Sequence, residues 1–580
     1  MVARVAVVAE RAEKIGMTAS RRARAVDLTA IGEPYLWSLG GALAFGCLMI
    51  AGFLMLVFWN GIVTFWPKPI EVVILADGSR LAGEPIRTES YRPGPEILQK
   101  LPPTDQRAIA ANDGFAVRTL YRVGNYDLYG DDFRWVAAYE LRGAETPPGL
   151  FFAERLEWGP FIGAVKAIIV DGQRHDRAQL AEDELSRAHA EARARWRRIH
   201  RIERSDIGAV NHELDRERLA LRRIALSSGE GSEAYREAQA SLQARQAELG
   251  KRYDALAAEA KALKDRDAKD QIVFADVADK EKQMPLSAVV RFYDANTLGL
   301  FDKFAIYLSR WWEFTSEEPR EANTEGGVMP AIFGTFALTL LMVVAVAPFG
   351  IITALYLREY ARQGRMVAVV RISVNNLAGV PSIVYGVFGL GFFAYLLGGS
   401  IDALFYPERL PNPTFGTGGL LWSSLTLALL TVPVVIVATE EALAAVPRSM
   451  REGSLACGAS KWQTISRIVL PRAMPGILTG IILAMARGAG EVAPLMLVGV
   501  VKLAPELPID GYFPFLHLER SFMHLGFHIY DVGFQSRNSE AGKPMVFVTT
   551  LLLIGMVFVM NVGAIMIRNR LKRRFAGSQF

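Results

Sequence analysis

The residues best placed to do chemistry in this chain are Arg487 and Glu491, in the run PGILTGIILAMARGAGEVAPLMLVG. Everything else in that run is apolar or small, so the stretch from Pro475 to Gly499 reads as a membrane span with two charges in it. Insertion scales assign roughly 2.5 to 3.5 kcal/mol to one charge near the middle of a span, so both side chains are expected to face a partner or a wet path and not lipid. Their spacing of four puts them on one helix face, where they neutralise each other. Two roles are open. Arg487 offers a planar, permanently charged fork that suits a tetrahedral oxyanion such as phosphate, with Glu491 holding the fork and limiting how tightly the anion is trapped. Alternatively the two form a structural ion pair that fastens the span to its neighbours.

Other chemistry is sparse. The sequence has no GxxxxGK[ST] phosphate loop and no HExxH helix, so any energy source must come from another chain. Only Cys47 and Cys457 are present, which excludes a disulfide framework and a four-cysteine zinc site. His517, His524 and His528 fall in one loop, the last two at helical spacing, but no nearby cysteine or clear carboxylate completes a metal site. No metal or other cofactor is therefore expected. The net charge of +5, from 65 basic and 60 acidic residues, gives no reason to expect a nucleic-acid partner.

The elements that must position Arg487 follow from composition. Of 580 residues, 51% are hydrophobic and 22% charged, which points to a polytopic membrane protein. Six stretches approach or exceed the roughly 20 apolar residues that a helix needs to cross a bilayer: Leu36 to Phe58, Gly327 to Leu357, Ile372 to Ile401, Gly419 to Thr439, Pro475 to Gly499 and Pro544 to Ile567. The first is longer than a signal peptide's core and runs on through Trp59 and Trp66, as an interfacial anchor does. Residues 1–35, 358–371, 440–472 and 568–580 hold about 20 Lys and Arg, against about five in 399–418 and 502–543. The positive-inside rule then places both termini in the cytoplasm, with 568–580 a basic inner tail. In the third stretch Asn375 and Asn376 open the span and Pro381 kinks it, while Gly379, Gly386, Gly389 and Gly391 let helices approach.

That topology puts residues 66–326 on the outer side, after a first transmembrane helix at 36–65. Here EVVILADGSRLAGEP, AIIVDGQ and QIVFADVADKEKQMPLS each set a β-rich run before an Asp-Gly or Asp-rich turn, which predicts hairpins and a compact β element. Between them, over about 177–268, the spacing of Ile207, Val210, Leu214, Leu221 and Ile224, and of Tyr235, Ala238, Leu242, Leu249, Leu256 and Leu263, predicts a coiled-coil-like antiparallel helical hairpin with its tip near Gly229 to Ser232. It would serve as a probe for an outer partner, as a spacer or as an oligomer clasp. The fold class expected is thus an all-α polytopic protein of six spans carrying an α+β insertion.

The inner loop EEALAAVPRSMREGSLACGASKWQTISRIVLPRAMPG is predicted to hold short helices at Glu440 to Met450 and Arg451 to Ala456, a corner at Gly458, and an apolar face at Trp462 and Ile465. Its Glu452, Gly458, Ile468, Leu470 and Pro471 fit E-A-A-x3-G-x9-I-x-L-P, with Gly453 and Ser454 in the two alanine positions. The pattern resembles the ATPase-coupling loop of binding-protein-dependent ABC importer permeases. Together with NNLAGVPSIVYGVFGLGFF and ILTGIILAMARGAGEVAPLMLVG, it resembles the PstA-type permease subunit of the phosphate-specific importer, over about 327–567. ANTEGGVMPAIFGTFALTLL and FLHLERSFMHLGFHIYDVGFQ resemble an extended form with a large extracytoplasmic insertion. The resemblance implies a type-1 permease domain and a non-catalytic role in moving inorganic phosphate across the bacterial inner membrane. It implies, as partners, a separate ATP-binding subunit in two copies, a sister permease and an extracytoplasmic phosphate-binding protein. Arg487 and Glu491 would line the path. Import of sulfate or molybdate would need the same fork, and a membrane-anchored scaffold or sensor would instead work through the hairpin.

Overall fold

The structure is a computed structural model that describes residues 33–179, 181–536 and 539–576. The chain divides into two compact units, Met1–Asn60 and Gly61–Phe580. The described part of the first unit is helical from Glu33, and Leu36, Leu43, Phe45, Leu48 and Phe53 are all exposed along it. A helix that is apolar all round has lipid as its solvent.

Among the described residues six helices are long and apolar enough to cross a membrane: Tyr35–Val63, Met329–Tyr360, Ser382–Phe405, Leu420–Ala444, Lys461–Gly488 and Glu540–Arg573, spans one to six. Within the second unit, spans two, four and five share a core of Leu338, Met342, Val346, Leu427, Val435 and Ala484. Span five lies on span four through small residues, Gly476 facing Ala442 and Gly480 facing Ala438. This is the packing expected where lipid removes the hydrophobic drive and close backbone approach supplies the attraction.

Two predicted spans change. The third does not run from Ile372 to Ile401: a separate helix, Arg365–Leu377, stops, and a new one starts at Ser382 behind Pro381. Proline has no N–H to give and disfavours helical backbone before it, so the chain breaks there and does not merely bend. Asn375 and Asn376 consequently sit exposed in the last turn of the earlier helix and open no span. A side chain at Gly386 would strike Pro494 Cα at 2.8 Å, and one at Gly389 would strike Thr426, so these two allow close packing; Gly391 faces open space and Gly379 meets only the Asn376 carbonyl. The fifth span starts at Lys461 and ends at Gly488, not at Gly499.

Among the described residues between spans one and two, thirteen strands form three antiparallel sheets, more than one compact β element; Pro319–Arg320 and Glu325–Gly326 pair with each other alone, and eleven strands make the two larger sheets. They are β1 (Glu71–Leu75), β2 (Arg80–Tyr91), β3 (Ala116–Arg122), β4 (Phe133–Ala137), β5 (Leu141–Glu145), β6 (Phe151–Arg155), β7 (Phe161–Val170), β8 (Gln173–Asp176), β9 (Gln271–Ala275), β10 (Glu281–Pro285) and β11 (Val289–Asp294). One sheet has the order β4-β3-β2-β1-β5; the other is β10-β9-β7-β6-β11, with β8 paired to β7. The β7–β8 turn is the Asp171–Gly172 pair, both at positive φ, the two-residue geometry that matches the strands' twist. Phe161, Ile168, Ile272 and Phe274 fill the core of the second sheet.

Between β8 and β9 the chain forms helices Glu182–Arg201, Ile207–Ser228 and Glu233–Asp267. Ser232 caps the last, its hydroxyl accepting from the Tyr235 N–H at 3.2 Å. Ion pairs Arg198–Glu259 at 2.9 Å and Arg245–Glu213 at 3.4 Å cross between these helices, and Lys264 pairs at 2.5 Å with Glu203 in the widened turn Ile202–Asp206 that joins the first two. The same helices reach loops of the span region: Arg223 pairs with the buried Glu408, and His212 stacks on Tyr512 with ring centroids 4.2 Å apart. Burial alone would raise the Glu408 carboxyl, but the Arg223 guanidinium outweighs it and holds it below the usual range.

A buried ion network ties the sheet to helix Leu300–Ser316. Glu154 accepts from Arg310 Nε at 2.7 Å and from Arg291 Nη1 at 2.6 Å; Arg291 also donates to Glu313 at 2.9 Å, and Arg320 pairs with Glu313. Burial pushes the Glu154 carboxyl up, yet Arg310 and Arg291 together bring it below its ordinary value. Its contribution to stability is therefore complete above the unfolded carboxylate range and is lost as pH falls through the depressed native value. Glu154→Gln is expected to destabilise the folded insertion by roughly 3 to 5 kcal/mol, because it strands buried arginines. Thermal unfolding of the purified protein at pH 7 and pH 3 checks this: the gap between wild type and variant should be wide at pH 7 and narrow in acid.

Candidate functional site

Two places carry the candidate residues: the loop joining spans four and five, and the far end of span five. The loop begins with a short helix, Arg448–Ala456, after Pro447. Glu440, predicted to open a loop helix, instead belongs to the last turns of span four, where it pairs with Arg371 at 3.2 Å. The corner is built by hydrogen bonds. The Gly458 N–H donates to the Leu455 carbonyl at 3.0 Å and the Ala459 N–H to the Ser454 carbonyl at 3.2 Å, a closure that needs a left-handed residue at 458. Gly458 supplies it, with φ of +82°. Ser460 then caps the next helix: the Gln463 N–H donates to the Ser460 hydroxyl at 3.2 Å, and the Ser460 N–H to the Gln463 side chain at 2.8 Å.

The pattern residues divide between surface and core. Glu452 and Gly458 are exposed, on the helix and at its corner; Ile468, Leu470 and Pro471 are half-buried in the first turns of span five. Leu470 packs on a cluster of Leu443, Val446, Val469, Ala473 and Ile477 that fixes the loop to spans four and five. The helix widens over Ile465–Val469, just where the Pro471 ring would otherwise strike the preceding turn. Trp462 and Ile465 do not share an open apolar face: Trp462 is 61% exposed, Ile465 only 2%. Leu455, half exposed, joins Trp462 on the outer surface.

Sequence reading missed the residue that anchors this loop. Arg451 Nη1 donates to the Val446 carbonyl at 2.6 Å, and Nη2 donates to the Leu443 carbonyl at 2.7 Å and to Glu359 at 2.9 Å. One side chain thus holds the short helix to the ends of spans four and two. Lys461 sits over the Tyr360 ring at 4.8 Å, a second link to span two. The trace it left in the sequence was Arg451 in PRSMRE, seven residues past the end of span four.

The Arg487 region differs from expectation in geometry. Span five's helix ends at Gly488, so Arg487 is in its last turn and Glu491 is beyond it; they do not share a continuous helix face. The Gly490 N–H donates to the Arg487 carbonyl and the Glu491 N–H to the Gly488 carbonyl, both at 3.2 Å, and a four-residue helix resumes at Leu495. The depth is nevertheless central: Gly488 packs against Met342 and Thr431, residues well inside spans two and four. Arg487 Nε lies 3.7 Å from Glu491 Oε1, with side chains 39% and 23% exposed. The cation also faces the negative end of the helix dipole. A half-exposed guanidinium with one loose carboxylate partner keeps donors free for an anion. Non-helical backbone at this depth is tolerated only where protein or a water-lined cavity satisfies it.

The three histidines form no site. Both ring nitrogens of His517 lie 3.0 Å from carboxylates, Asp510 and Glu519, so the sequence expectation that no carboxylate was near is corrected. His524 Nδ1 caps a helix, accepting the Gly526 N–H at 3.1 Å. Burial pushes both His524 and His528 down to about 4, so they are neutral at physiological pH. Among the described residues no group of three or more His, Cys, Asp or Glu is placed to hold a metal.

A family model for binding-protein-dependent transport system inner membrane components matches residues 346–575. The phosphate transport system permease protein PstA 1 of Mycobacterium tuberculosis H37Rv is 36% identical over 272 residues, covering 47% of this chain and 79% of that protein. PstA of Yersinia pestis is 39% identical over 183 residues, 32% of this chain and 56% of its own length. Among solved structures, the inward-facing MetNI methionine ABC transporter aligns at 19% identity over 42% of this chain and 96% of its own, with a TM-score of 0.30. With four fifths of a relative's length matched at 36% identity, this chain belongs to the binding-protein-dependent transport permeases of the PstA type, multi-pass proteins of the inner membrane.

Proposed function

We propose that this protein is one half of the membrane pore of an ABC importer for inorganic phosphate. The observation that carries the reading is its 36% identity to named phosphate permeases over four fifths of their length. The geometry agrees with it in two places. An arginine fork stands half-exposed at mid-depth beside a single carboxylate, and an inner-loop helix is clamped to two spans while leaving Leu455 and Trp462 outward.

In this reading the chain breaks no bond. The assembly holds two copies of an ATP-binding subunit, one of which grips the inner loop at 440–472; a sister permease completes the pore, and an extracytoplasmic phosphate-binding protein delivers the anion. Residues 1–35 and 568–580 are cytoplasmic, 66–326 form the outer insertion with a helical hairpin over 177–268, and 327–567 are the permease domain. Nucleotide-driven closure of the ATP-binding subunits pushes on the helix bearing Glu452 and on the corner at Gly458. Ile468, Leu470 and Pro471 pass that push into span five, and Arg451 passes it to spans two and four. Because span five is one helix from Lys461 to Gly488, movement at its inner end is delivered to Arg487 at mid-depth. The path past Arg487 opens first outward and then inward. Glu491 competes with phosphate for the guanidinium and so prevents tight trapping.

Gly458→Asp puts a side chain where the backbone is left-handed, which costs about 1 to 2 kcal/mol and reshapes the corner. Phosphate uptake by cells carrying this variant is expected to fall to background while the protein still inserts in the membrane at normal levels; unchanged uptake would refute the coupling role. Arg487→Gln removes charged hydrogen bonds worth roughly 2 kcal/mol and should cut phosphate uptake about 30-fold with assembly intact. Arg487→Lys keeps the charge without the fork and should fall between. Full uptake in both variants would leave the pair a purely structural role.

A further inference from the structure

Helix Leu300–Ser316 is built inside out. Its inward face carries charge: Arg310 and Glu313 point into the buried network with Glu154 and Arg291. Its outward face carries Leu300, Phe301, Phe304, Leu308 and Trp312, which are 77%, 92%, 52%, 51% and 74% exposed. At 100° per residue these five, together with exposed Ala305, fall within one arc of about 140°, and no charged residue lies in that arc. Asp302 and Ser309 mark its polar edge. A helix facing water would carry the opposite arrangement.

The place of the helix in the chain says what covers this face. The chain leaves span one at Val63 and begins span two at Met329, so everything between lies on one side of the membrane. Phe65, two residues past span one, packs on Trp311 and Phe314 of this helix at ring-centroid distances of 5.2 and 5.3 Å. Trp66 meets Tyr307 at 5.7 Å, and Arg310 donates to the Phe65 carbonyl at 3.0 Å. At the other end the Val328 N–H, one residue before span two, donates to the Phe314 carbonyl at 2.8 Å. The helix is thus pinned at the point where one span leaves the bilayer and the next begins, among the Trp and Tyr residues that favour the headgroup level.

We infer that Leu300–Ser316 is an interfacial helix whose outward face is seated in the lipid boundary on the insertion's side of the membrane. The occupant is the bilayer itself. In span two, separated from this helix by twelve residues, Phe336 and Leu340 are also exposed. The insertion is thereby laid flat on the membrane at its root, and the ion network carries that orientation into the sheet through Glu154.

Depth-dependent quenching tests this with the full-length protein. In a background with Cys47 and Cys457 replaced by serine, Phe304→Cys, Leu308→Cys and Asp302→Cys are each labelled with NBD and reconstituted in phosphatidylethanolamine–phosphatidylglycerol vesicles. The labels at 304 and 308 are expected to be blue-shifted and quenched at least threefold more by 5-doxyl lipid than the label at 302, and little by aqueous iodide. Two independent positions guard against one variant failing to fold. Iodide quenching of 304 and 308 equal to that of 302 would overturn the proposal, since the face would then be in water. Protection of both from lipid and iodide quenchers alike would also overturn it, since a protein would then cover the face.

Discussion

A charge halfway across a bilayer must be paired, hydrated or neutralised, and the architecture around Arg487 follows from that requirement. Span five stops being a helix at Gly488, beside residues well inside spans two and four. Stopping there frees carbonyls at the helix end, brings Glu491 back to 3.7 Å from the guanidinium, and turns the chain through a short non-helical stretch before Leu495. Protein must cover that stretch, and it does so closely: Gly386 of span three lies against Pro494, so tightly that no side chain fits. A polar, irregular segment is thus held against span three at Pro494.

In the proposed mechanism the loop joining spans four and five answers a different requirement, that force be transmitted and not absorbed. Its corner is fixed by left-handed closure at Gly458 and by the Ser460–Gln463 cap. Arg451 removes the remaining freedom by binding the Leu443 carbonyl of span four, the Val446 carbonyl just past it and Glu359 at once. From Lys461 to Arg487 the chain stays helical through one widened turn at Ile465–Val469, so a continuous element joins the two places. The insertion is anchored by similar means, with a buried five-residue ion network where the sheet, the interfacial helix and the start of span two converge.

Much of this was legible in the residues. Six apolar runs announced six helices, Asp171–Gly172 announced a hairpin turn, and a glycine ten residues before an I-x-L-P run announced the loop's corner. What was hidden has physical reasons. Hydropathy does not register a helix end, so GAGEVAPLMLVG read as more span, although its three glycines and Pro494 are weak helix formers. Pro381 was read as a kink because apolar residues flank it on both sides; only the chain's path shows two helices. Arg451 was overlooked because two of its partners are backbone carbonyls, which leave no trace in composition. The helix at Leu300 was not identified, because apolar spacing alone does not say whether a face turns inward or outward, and the structure turns this one outward.

The central claim is that the chain is a gate moved by a separate nucleotide-hydrolysing partner. The most direct measurement is phosphate accumulation in proteoliposomes that hold the purified chain with its sister permease and phosphate-binding protein, with and without the ATP-binding subunit. The account predicts accumulation against a gradient only when that subunit and ATP are both present. Accumulation without the ATP-binding subunit would contradict it.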